Sequence, residues 1–168
     1  MLFNQHITDL LSLIGNAGAR HVVICPGSRN APLIQGFQRD PYFSCHSIVD
    51  ERSAGYVALG MARELNEPVV VLTTSGTATL NLAPAVAEAY HQKIPLLVLT
   101  ADRPAEYPPQ ANNQIIDQQE IFIRNSKAFY NIPFEIPDHN ELRRVNIEVS
   151  AILSLANEDD PGPVHINI

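Results

Sequence analysis

Apolar runs alternate with amphipathic stretches along almost the whole chain. The apolar runs predict strands at residues 21–25, 42–49, 68–73, 95–100, 128–134 and 164–168. The stretches between them repeat apolar residues at helical spacing and predict helices at residues 5–17, 30–39, from 50 onward, 78–90, 117–122 and 138–155. Strands that are apolar on both faces and separated by helices favour a parallel sheet covered on both sides. The predicted fold class is therefore α/β, with three layers (α/β/α) around a mainly parallel six-stranded sheet.

Two polar residues mark predicted helix starts. Asn30 stands before a helix with Pro32 in its first turn, and Asp50 stands before a helix whose apolar face is rich in small residues. Short oxygen-bearing side chains at such positions accept hydrogen bonds from the first backbone N–H groups, which have no partner inside the helix. Asn30 and Asp50 are therefore predicted to cap their helices.

Composition narrows the class of protein. The chain has 168 residues, 45% hydrophobic and 17% charged, which is too apolar for a disordered chain and long enough for one core. Its net charge of −7, without a run of Lys or Arg, argues against non-specific nucleic-acid binding. The first residues lack the pattern of a secretory signal, and no apolar stretch reaches the ~18 residues of a membrane span, so a cytoplasmic protein is expected.

The cysteines and the last residues carry structural expectations. Cys25 and Cys45 fall in predicted strands with no CxxC or Cys/His spacing, so buried free thiols are expected rather than a disulfide or a metal site. The final predicted strand runs to Ile168 with no polar tail after it. Residues 1–168 are therefore interpreted as a single domain of a longer chain, with about three domains at the usual size.

The residues that follow the strands are chemically the richest in the chain. In an open parallel sheet, ligands bind beyond the carboxyl ends of the strands. Four such loops are expected to meet at one edge, namely residues 26–29 (PGSR), 50–53 (DERS), 74–77 (TSGT) and 101–104 (ADRP). Each pattern also has a purely structural interpretation: a Pro-Gly turn, charge at a helix N-terminus, helix capping, or a surface ion pair.

The histidines and serines give no hydrolase pattern, since neither GxSxG nor HExxH occurs. His21, His46 and His165 lie inside predicted strands. They are interpreted as hydrogen-bonded core or edge residues rather than catalysts.

Five segments are distinctive when the loops are taken with their neighbours. They are CPGSRNAP (25–32), DERSAGYVALGMAR (50–63), TTSGTATLNLAPAVAEAY (73–90), PLLVLTADRP (95–104) and NQIIDQ (113–118). In this order they resemble the N-terminal pyrimidine-binding domain of thiamine-diphosphate enzymes, and GPVHIN (162–167) is similar to the end of that domain. Within this superfamily the chain most resembles the 2-succinyl-5-enolpyruvyl-6-hydroxy-3-cyclohexene-1-carboxylate synthases of menaquinone biosynthesis.

Two loops distinguish these synthases from other thiamine-diphosphate enzymes. Acetolactate-synthase-like relatives usually carry Pro-Gly-Gly in the first loop and TSGPG in the third, whereas residues 26–29 here are PGSR and residues 74–78 are TSGTA. One departure is that the usual GANQ is replaced by ANNQ at residues 111–114. The spacing from Arg103 to the final Asn-Gln pair is that of the family.

The resemblance implies a role for each loop. Glu51 matches the glutamate that hydrogen-bonds the pyrimidine ring of the cofactor and promotes removal of the thiazolium C2 proton, so it is the expected catalytic residue. The implied cofactor-binding residues are Glu51, Pro26 and Thr77. The implied substrate-binding residues are Ser28, Arg29, Arg103, Asn113 and Gln114. Nine of the eleven basic residues are Arg, which holds a carboxylate through two parallel hydrogen bonds.

The implied activity is that of a carboligase, a transferase that decarboxylates 2-oxoglutarate and adds the succinyl-semialdehyde carbanion to isochorismate. Thiamine diphosphate is the implied cofactor, with Mg²⁺ and the diphosphate held by a C-terminal domain whose motif this sequence lacks. A homodimer or homotetramer is implied, no metal ligand is expected here, and the chain alone is expected to be inactive. Two alternatives stay open: another thiamine-diphosphate 2-oxo-acid decarboxylase or carboligase, and a non-catalytic assembly module of the same fold.

Overall fold

Helices and strands alternate through the chain. The computed structural model describes residues 2–103 and 114–168. The helices are α1 (Leu2–Asn16), α2 (Ala31–Arg39), α3 (Glu51–Leu65), α4 (Thr77–Leu80), α5 (Ala83–Gln92) and α6 (His139–Leu155). The strands are β1 (His21–Ile24), β2 (Ser44–Ser47), β3 (Val69–Thr73), β4 (Leu96–Thr100), β5 (Ala128–Asn131) and β6 (Val164–Asn167). Among the helices of the described residues, none combines the length and apolar character needed to cross a membrane.

The strands within the described residues form one six-stranded sheet in the order β2-β1-β3-β4-β6-β5. Every neighbouring pair is parallel. The central strands β3 and β4 are buried at all positions, whereas the edge strands β2 and β5 are partly exposed. The edge strands are also shorter than the sequence predicts. The predicted α/β class with a six-stranded, mainly parallel sheet is confirmed, and the observed sheet is wholly parallel.

A hydrophobic core lies on each face of the sheet. On one face, Val22, Ile24 and Leu72 pack in a cluster with apolar residues of α1, α2 and α6. On the other face, Val23 and Val71 pack in a second cluster with α3 and α5. Successive strand residues alternate between the two cores because side chains along a strand point to opposite faces. The three layers expected from the sequence are therefore present.

Two predicted helices are wrong in detail. The helix predicted over 78–90 is divided into α4 and α5. Pro84 has no N–H to donate inside a helix, so it is accommodated in the first turn of α5, where the N–H groups have no acceptor within the helix. Residues 119–124 form turns rather than the short helix predicted at 117–122. In this segment the Asp117 carboxylate accepts a hydrogen bond from the Gln119 N–H (3.2 Å), and Glu120 has a φ of 54°.

The two predicted N-caps have different outcomes. The Asp50 carboxylate accepts a hydrogen bond from the Ser53 N–H (2.8 Å), which confirms it as the cap of α3. Asn30 precedes α2 but makes no capping hydrogen bond, so that prediction is wrong. Instead, its Nδ2 donates to the Cys25 carbonyl oxygen (2.8 Å) and holds the β1–α2 loop closed.

Both cysteines are free thiols, as predicted. Cys25 is buried and Cys45 is half-buried. Burial raises the pKa of both thiols, so both are protonated near neutral pH.

Candidate active site

The carboxyl edge of the sheet brings the four predicted loops into one row. The strand order places the loops after β2, β1, β3 and β4 side by side, and they lead to Glu51, Arg29, Thr77 and Arg103, respectively. The middle two loops touch, because a Cβ added to Gly27 would lie 2.7 Å from the Thr74 Oγ1 atom. Such a contact leaves no room for a side chain, so glycine allows the two loops to approach this closely.

Glu51 is the first residue of α3 and is half-buried. Capping of this helix falls to its neighbour Asp50, and the hydrogen bonds from Ser53 lower the pKa of the Asp50 carboxyl. The Glu51 carboxylate makes no hydrogen bond or ion pair with the described residues. Burial, reinforced by the negative charges of Glu51 and Asp50, raises the pKa of the Cys25 thiol to about 12. The Glu51 carboxylate therefore lies near the uncharged, buried thiol of Cys25, and its oxygens are available to a ligand.

The β1–α2 loop presents Pro26, Ser28 and Arg29 to solvent. Its base is held by Asn30, which is fully buried. Arg29 forms no ion pair within the part of the chain that is described. The loop turns at residues 29–30 rather than at Pro26-Gly27, and it leaves a guanidinium group at the edge of the sheet.

The β3–α4 loop is shaped by Gly76, which has a φ of 82° and a ψ of −137°. A Cβ at this position would overlap the carbonyl oxygen of Gln114, so the Gln114 backbone lies directly against Gly76. Thr77 begins α4 and is exposed, and the side chain of Gln114 is exposed beside it. Asn113, predicted to bind substrate with Gln114, lies outside the described residues.

Arg103 is half-buried at the end of the β4 loop. Its backbone N–H donates to one oxygen of the Asp102 carboxylate (2.7 Å), and the other oxygen accepts from Nδ2 of Asn167 (2.8 Å). Arg103 also lines a cavity of about 120 Å³ with Asn131 and Ile168. The Asp102 carboxylate thus fixes the backbone that carries Arg103.

A buried hydrogen-bond network at this edge was missed by sequence reasoning. Gln118 is 1% exposed, and its Oε1 accepts from the Gly76 N–H (2.8 Å). Its Nε2 donates to the Ala101 carbonyl oxygen (2.9 Å) and to Oδ1 of Asn167 (2.7 Å). The same Oδ1 accepts from the Thr100 hydroxyl (2.7 Å). The network joins the β3 and β4 loops to β6.

One sequence signal could have pointed to this network. Thr73, Thr100, Asn167 and Asn131 each end a strand, and the sheet register pairs them in that order across the four neighbouring strands. A polar residue at the end of each apolar run marks where the sheet leaves its hydrophobic core. Gln118 carries no such signal, because its partners lie 17 to 49 residues away.

The strand histidines are core and edge residues, as predicted, but His165 is only partly hydrogen-bonded. His21 Nδ1 and His46 Nε2 lie 3.2 Å apart in a hydrogen bond between adjacent strands. His165 is fully buried with Nε2 2.8 Å from the Thr100 hydroxyl, while its Nδ1 has no hydrogen-bond partner among the described residues. Burial lowers the pKa of His165 to about 3.

The His165 environment predicts a loss of stability in acid. The folded-state pKa lies below the ordinary histidine value of about 6.5, so the unfolded chain binds a proton that the folded chain excludes. Above the unfolded-state pKa, neutral His165 costs no stability. As the pH drops towards 3, His165 lowers the free energy of unfolding by up to about 1.4 kcal/mol per pH unit. His6, whose pKa burial also lowers, acts in the same direction.

Urea unfolding of the chain between pH 7 and pH 4 measures this dependence. We expect His165→Gln to reduce its slope by close to one proton, whereas His139→Gln, at an exposed position of α6, leaves the slope unchanged. Equal slopes for the wild type and His165→Gln would contradict the assignment.

No group of three or more His, Cys, Asp or Glu side chains that could hold a metal ion occurs within residues 2–103 and 114–168. Within the described residues, this edge presents the Glu51 carboxylate, which is neither a helix cap nor hydrogen-bonded, together with the guanidinium groups of Arg29 and Arg103.

The comparison with protein families agrees with this geometry. The model of the thiamine pyrophosphate enzyme, N-terminal TPP binding domain, matches residues 5–121. The chain belongs to this family. The matched range includes Glu51, Arg29, Thr77 and Arg103, so all four loops of this TPP binding domain lie inside it.

Three curated relatives of this TPP binding domain carry the same name, 2-succinyl-5-enolpyruvyl-6-hydroxy-3-cyclohexene-1-carboxylate synthase. The relative from Desulfotalea psychrophila is 49% identical over 168 residues, which is 100% of this chain and 31% of the relative. Those from Bacteroides thetaiotaomicron and Cytophaga hutchinsonii are 45% and 44% identical over 98% of this chain and 29% of each relative. The chain thus spans less than a third of the length of these relatives.

Proposed function

We propose that this chain is the N-terminal, pyrimidine-binding domain of a 2-succinyl-5-enolpyruvyl-6-hydroxy-3-cyclohexene-1-carboxylate synthase. In this proposal residues 1–168 are one of about three domains of the complete chain. The complete enzyme decarboxylates 2-oxoglutarate and joins the remaining four-carbon unit to isochorismate. The name of the relative that is 49% identical supports the product of this synthase, and the state of Glu51 supports the chemistry.

The single observation that carries the proposal is the uncommitted carboxylate of Glu51. The neighbouring Asp50 already caps α3 by accepting a hydrogen bond from the Ser53 N–H, so Glu51 is not needed as a cap. A half-buried carboxyl group exchanges a proton with a ring nitrogen more effectively than a fully solvated one, because water competes less for it. Glu51 is therefore the group that holds and returns the proton during cofactor activation.

The surroundings of Glu51 fit the pyrimidine ring of thiamine diphosphate. Beneath the edge, the buried Cys25 thiol is uncharged. The Thr73 hydroxyl at the end of the next strand is buried and has no hydrogen-bond partner in the described part of the chain. Apolar contact together with a few polar atoms suits a heteroaromatic ring. When bound, thiamine diphosphate supplies the electron sink for the carbanion that a 2-oxo acid leaves when it loses CO₂. Pro26 and Thr77, exposed on the flanking loops, would complete the cofactor contacts.

Arginines of the neighbouring loops suit the substrates. Both 2-oxoglutarate and isochorismate carry carboxylates, which guanidinium groups bind through paired, charge-assisted hydrogen bonds. Arg29 is exposed beside Ser28, and Arg103 is held at its backbone by Asp102. With Asn113 and Gln114 these residues would orient the substrate carboxylates.

The remaining parts of the active site belong to other regions of the enzyme. As the family resemblance implies, we assign Mg²⁺ and the diphosphate to a C-terminal domain, where one or two carboxylates and the diphosphate oxygens would hold the metal. The proposal includes a homodimer or homotetramer in which that domain of another subunit completes the site. It also includes a cytoplasmic location, which the two free thiols support. Residues 1–168 alone are then inactive.

A non-catalytic assembly module is the alternative from another class. Such a module has no use for a carboxylate that neither caps a helix nor pairs with another group. Asp50 caps the helix and Glu51 has no hydrogen-bond or ion-pair partner in the ranges 2–103 and 114–168, which favours the enzyme.

Replacing Arg29 with lysine in the full-length enzyme tests the substrate assignment. Lysine keeps the charge but cannot form the paired hydrogen bonds, so we expect the apparent KM for one carboxylate substrate to rise about tenfold. Steady-state kinetics with 2-oxoglutarate and isochorismate measure the change. Arg39→Lys is the matched control, because Arg39 is exposed at the far end of α2 and should leave kcat/KM unchanged.

Two results would count against these assignments. An unchanged kcat/KM in Arg29→Lys would remove Arg29 from substrate binding. A wild-type enzyme that does not consume 2-oxoglutarate and isochorismate together would overturn the proposed function itself.

A further inference from the structure

Gln118 stands at the junction of the loops that carry the proposed site. It lies in the segment after Gln114 and is almost completely buried, with 1% of its surface exposed. Buried glutamine is uncommon unless its amide is hydrogen-bonded at both ends. Here the oxygen and both hydrogens of the amide have partners on three separate parts of the chain.

The two ends of the amide hold different loops. The oxygen accepts from the Gly76 N–H at 2.8 Å, which orients the peptide immediately before Thr77. The nitrogen donates to the Ala101 carbonyl oxygen at 2.9 Å, next to Asp102. Because donor and acceptor ends differ, the amide holds the two loops with one orientation of the side chain.

A second connection runs through Asn167. Gln118 Nε2 donates to Oδ1 of Asn167 at 2.7 Å, and Nδ2 of Asn167 donates to the Asp102 carboxylate at 2.8 Å. The same carboxylate accepts from the Arg103 N–H at 2.7 Å. A continuous chain of hydrogen bonds therefore links Gly76 to the backbone of Arg103.

The chain segment that joins Gln118 to Gln114 supplies the third link. Gln114 precedes it by four residues, and the Gln114 carbonyl oxygen lies so close to Gly76 that no side chain fits there. Gln114 itself has a positive φ of 66°. The segment 114–118 is thus held against the β3 loop by a steric contact at one end and by an amide at the other.

We infer that Gln118 is a positioning residue, which sets the spacing of Thr77, Arg103 and Gln114 at the proposed active site. It touches neither substrate nor cofactor and acts through the three loops that it joins. The inference rests on the proposed function. Misplacement of binding groups by about 1 Å costs up to about a hundredfold in rate, so a residue of this kind affects turnover without reaching the substrate.

Two substitutions in the full-length enzyme test this role. Gln118→Met keeps the volume and removes all three hydrogen bonds, and Gln118→Asn keeps the amide but shortens its reach. We expect the apparent KM for a carboxylate substrate to rise about tenfold or more in Gln118→Met and by less in Gln118→Asn. The exchange rate of the cofactor C2 proton at saturating cofactor should stay within about twofold of the wild type, because Glu51 lies on α3 outside the network.

Ser126→Ala is the matched control for a purely structural role. Ser126 follows Gln118 by eight residues. Its buried hydroxyl donates to the Phe122 carbonyl oxygen (3.0 Å), away from the three loops. Its loss should lower the melting temperature and leave KM unchanged. Hydrogen–deuterium exchange of a peptide over residues 74–80 should become faster in Gln118→Met and stay the same in Ser126→Ala.

The outcomes separate the two levels of the proposal. An active wild type with unchanged KM in both Gln118 variants, or with the same KM increase in Ser126→Ala, would refute the positioning role and leave the proposed function standing. A wild type that does not consume the two substrates would overturn the proposed function, and the inference with it. If Gln118→Met does not fold, Gln118→Asn alone decides between these outcomes.

Discussion

Replacing Glu51 with glutamine is expected to lower kcat of the full-length enzyme by about 10² to 10⁴-fold, the usual contribution of a positioned acid–base group. Glutamine has the same shape but cannot exchange a proton with a ring nitrogen. The Glu51 carboxylate has no partner among the described residues, so its loss breaks no contact within them. The free energy of unfolding should change by no more than about 1 kcal/mol, through the weaker interaction with the positive end of α3.

The decisive measurement for Glu51→Gln is exchange of the thiazolium C2 proton of bound thiamine diphosphate, followed by NMR. Exchange should fall together with kcat. Glu64→Gln is the control, because Glu64 is an exposed glutamate near the other end of the same helix. Wild-type exchange rates in Glu51→Gln would show that another group moves the proton.

Substitution of Gly76 by alanine is expected to be the most destabilising single change at the edge of the sheet. The φ of 82° and ψ of −137° lie in a region that L side chains rarely adopt, and such strain costs about 1–3 kcal/mol. The added Cβ would also overlap the Gln114 carbonyl oxygen, which is backbone and cannot swing away. We expect a total loss near 3 kcal/mol, or a fall in Tm of about 6–12 °C for a chain of this length.

Gly60 is the matched control for Gly76. It lies within α3, is exposed, and has no neighbouring atom within 4 Å of an added Cβ. Alanine there should stabilise the chain by about 0.5–1 kcal/mol, because alanine loses less conformational freedom in a helix. Thermal unfolding followed by circular dichroism measures both variants, and equal Tm values for Gly76→Ala and the wild type would contradict the strained geometry.

The candidate site was predicted in part. Glu51, Arg29, Thr77 and Arg103 follow predicted strands, and the sheet order places their loops side by side. Their roles in catalysis and binding remain predictions that the proposed variants test. The capping role of Asp50 was visible in the sequence because a cap bonds to a residue only three positions away.

Errors in the prediction came from two sources. The break between α4 and α5 was present in the sequence as Pro84, and the helical pattern of alanines obscured it. The failure at Asn30 had a different cause, because the choice between the free N–H groups of α2 and the Cys25 carbonyl depends on how the loop closes. Local sequence shows which hydrogen bonds a side chain can make, and the packing selects among them.

By itself, the sequence determined the layers of the fold, since apolar periodicity reports which faces of each element must leave water. It also determined which chemical groups follow each strand. Only the tertiary structure decided how these groups are held together: Gln118 bonds to Gly76, 42 residues earlier, and Asn167 bonds to Asp102, 65 residues earlier. Contacts across such distances depend on strand order and register, which no local pattern encodes.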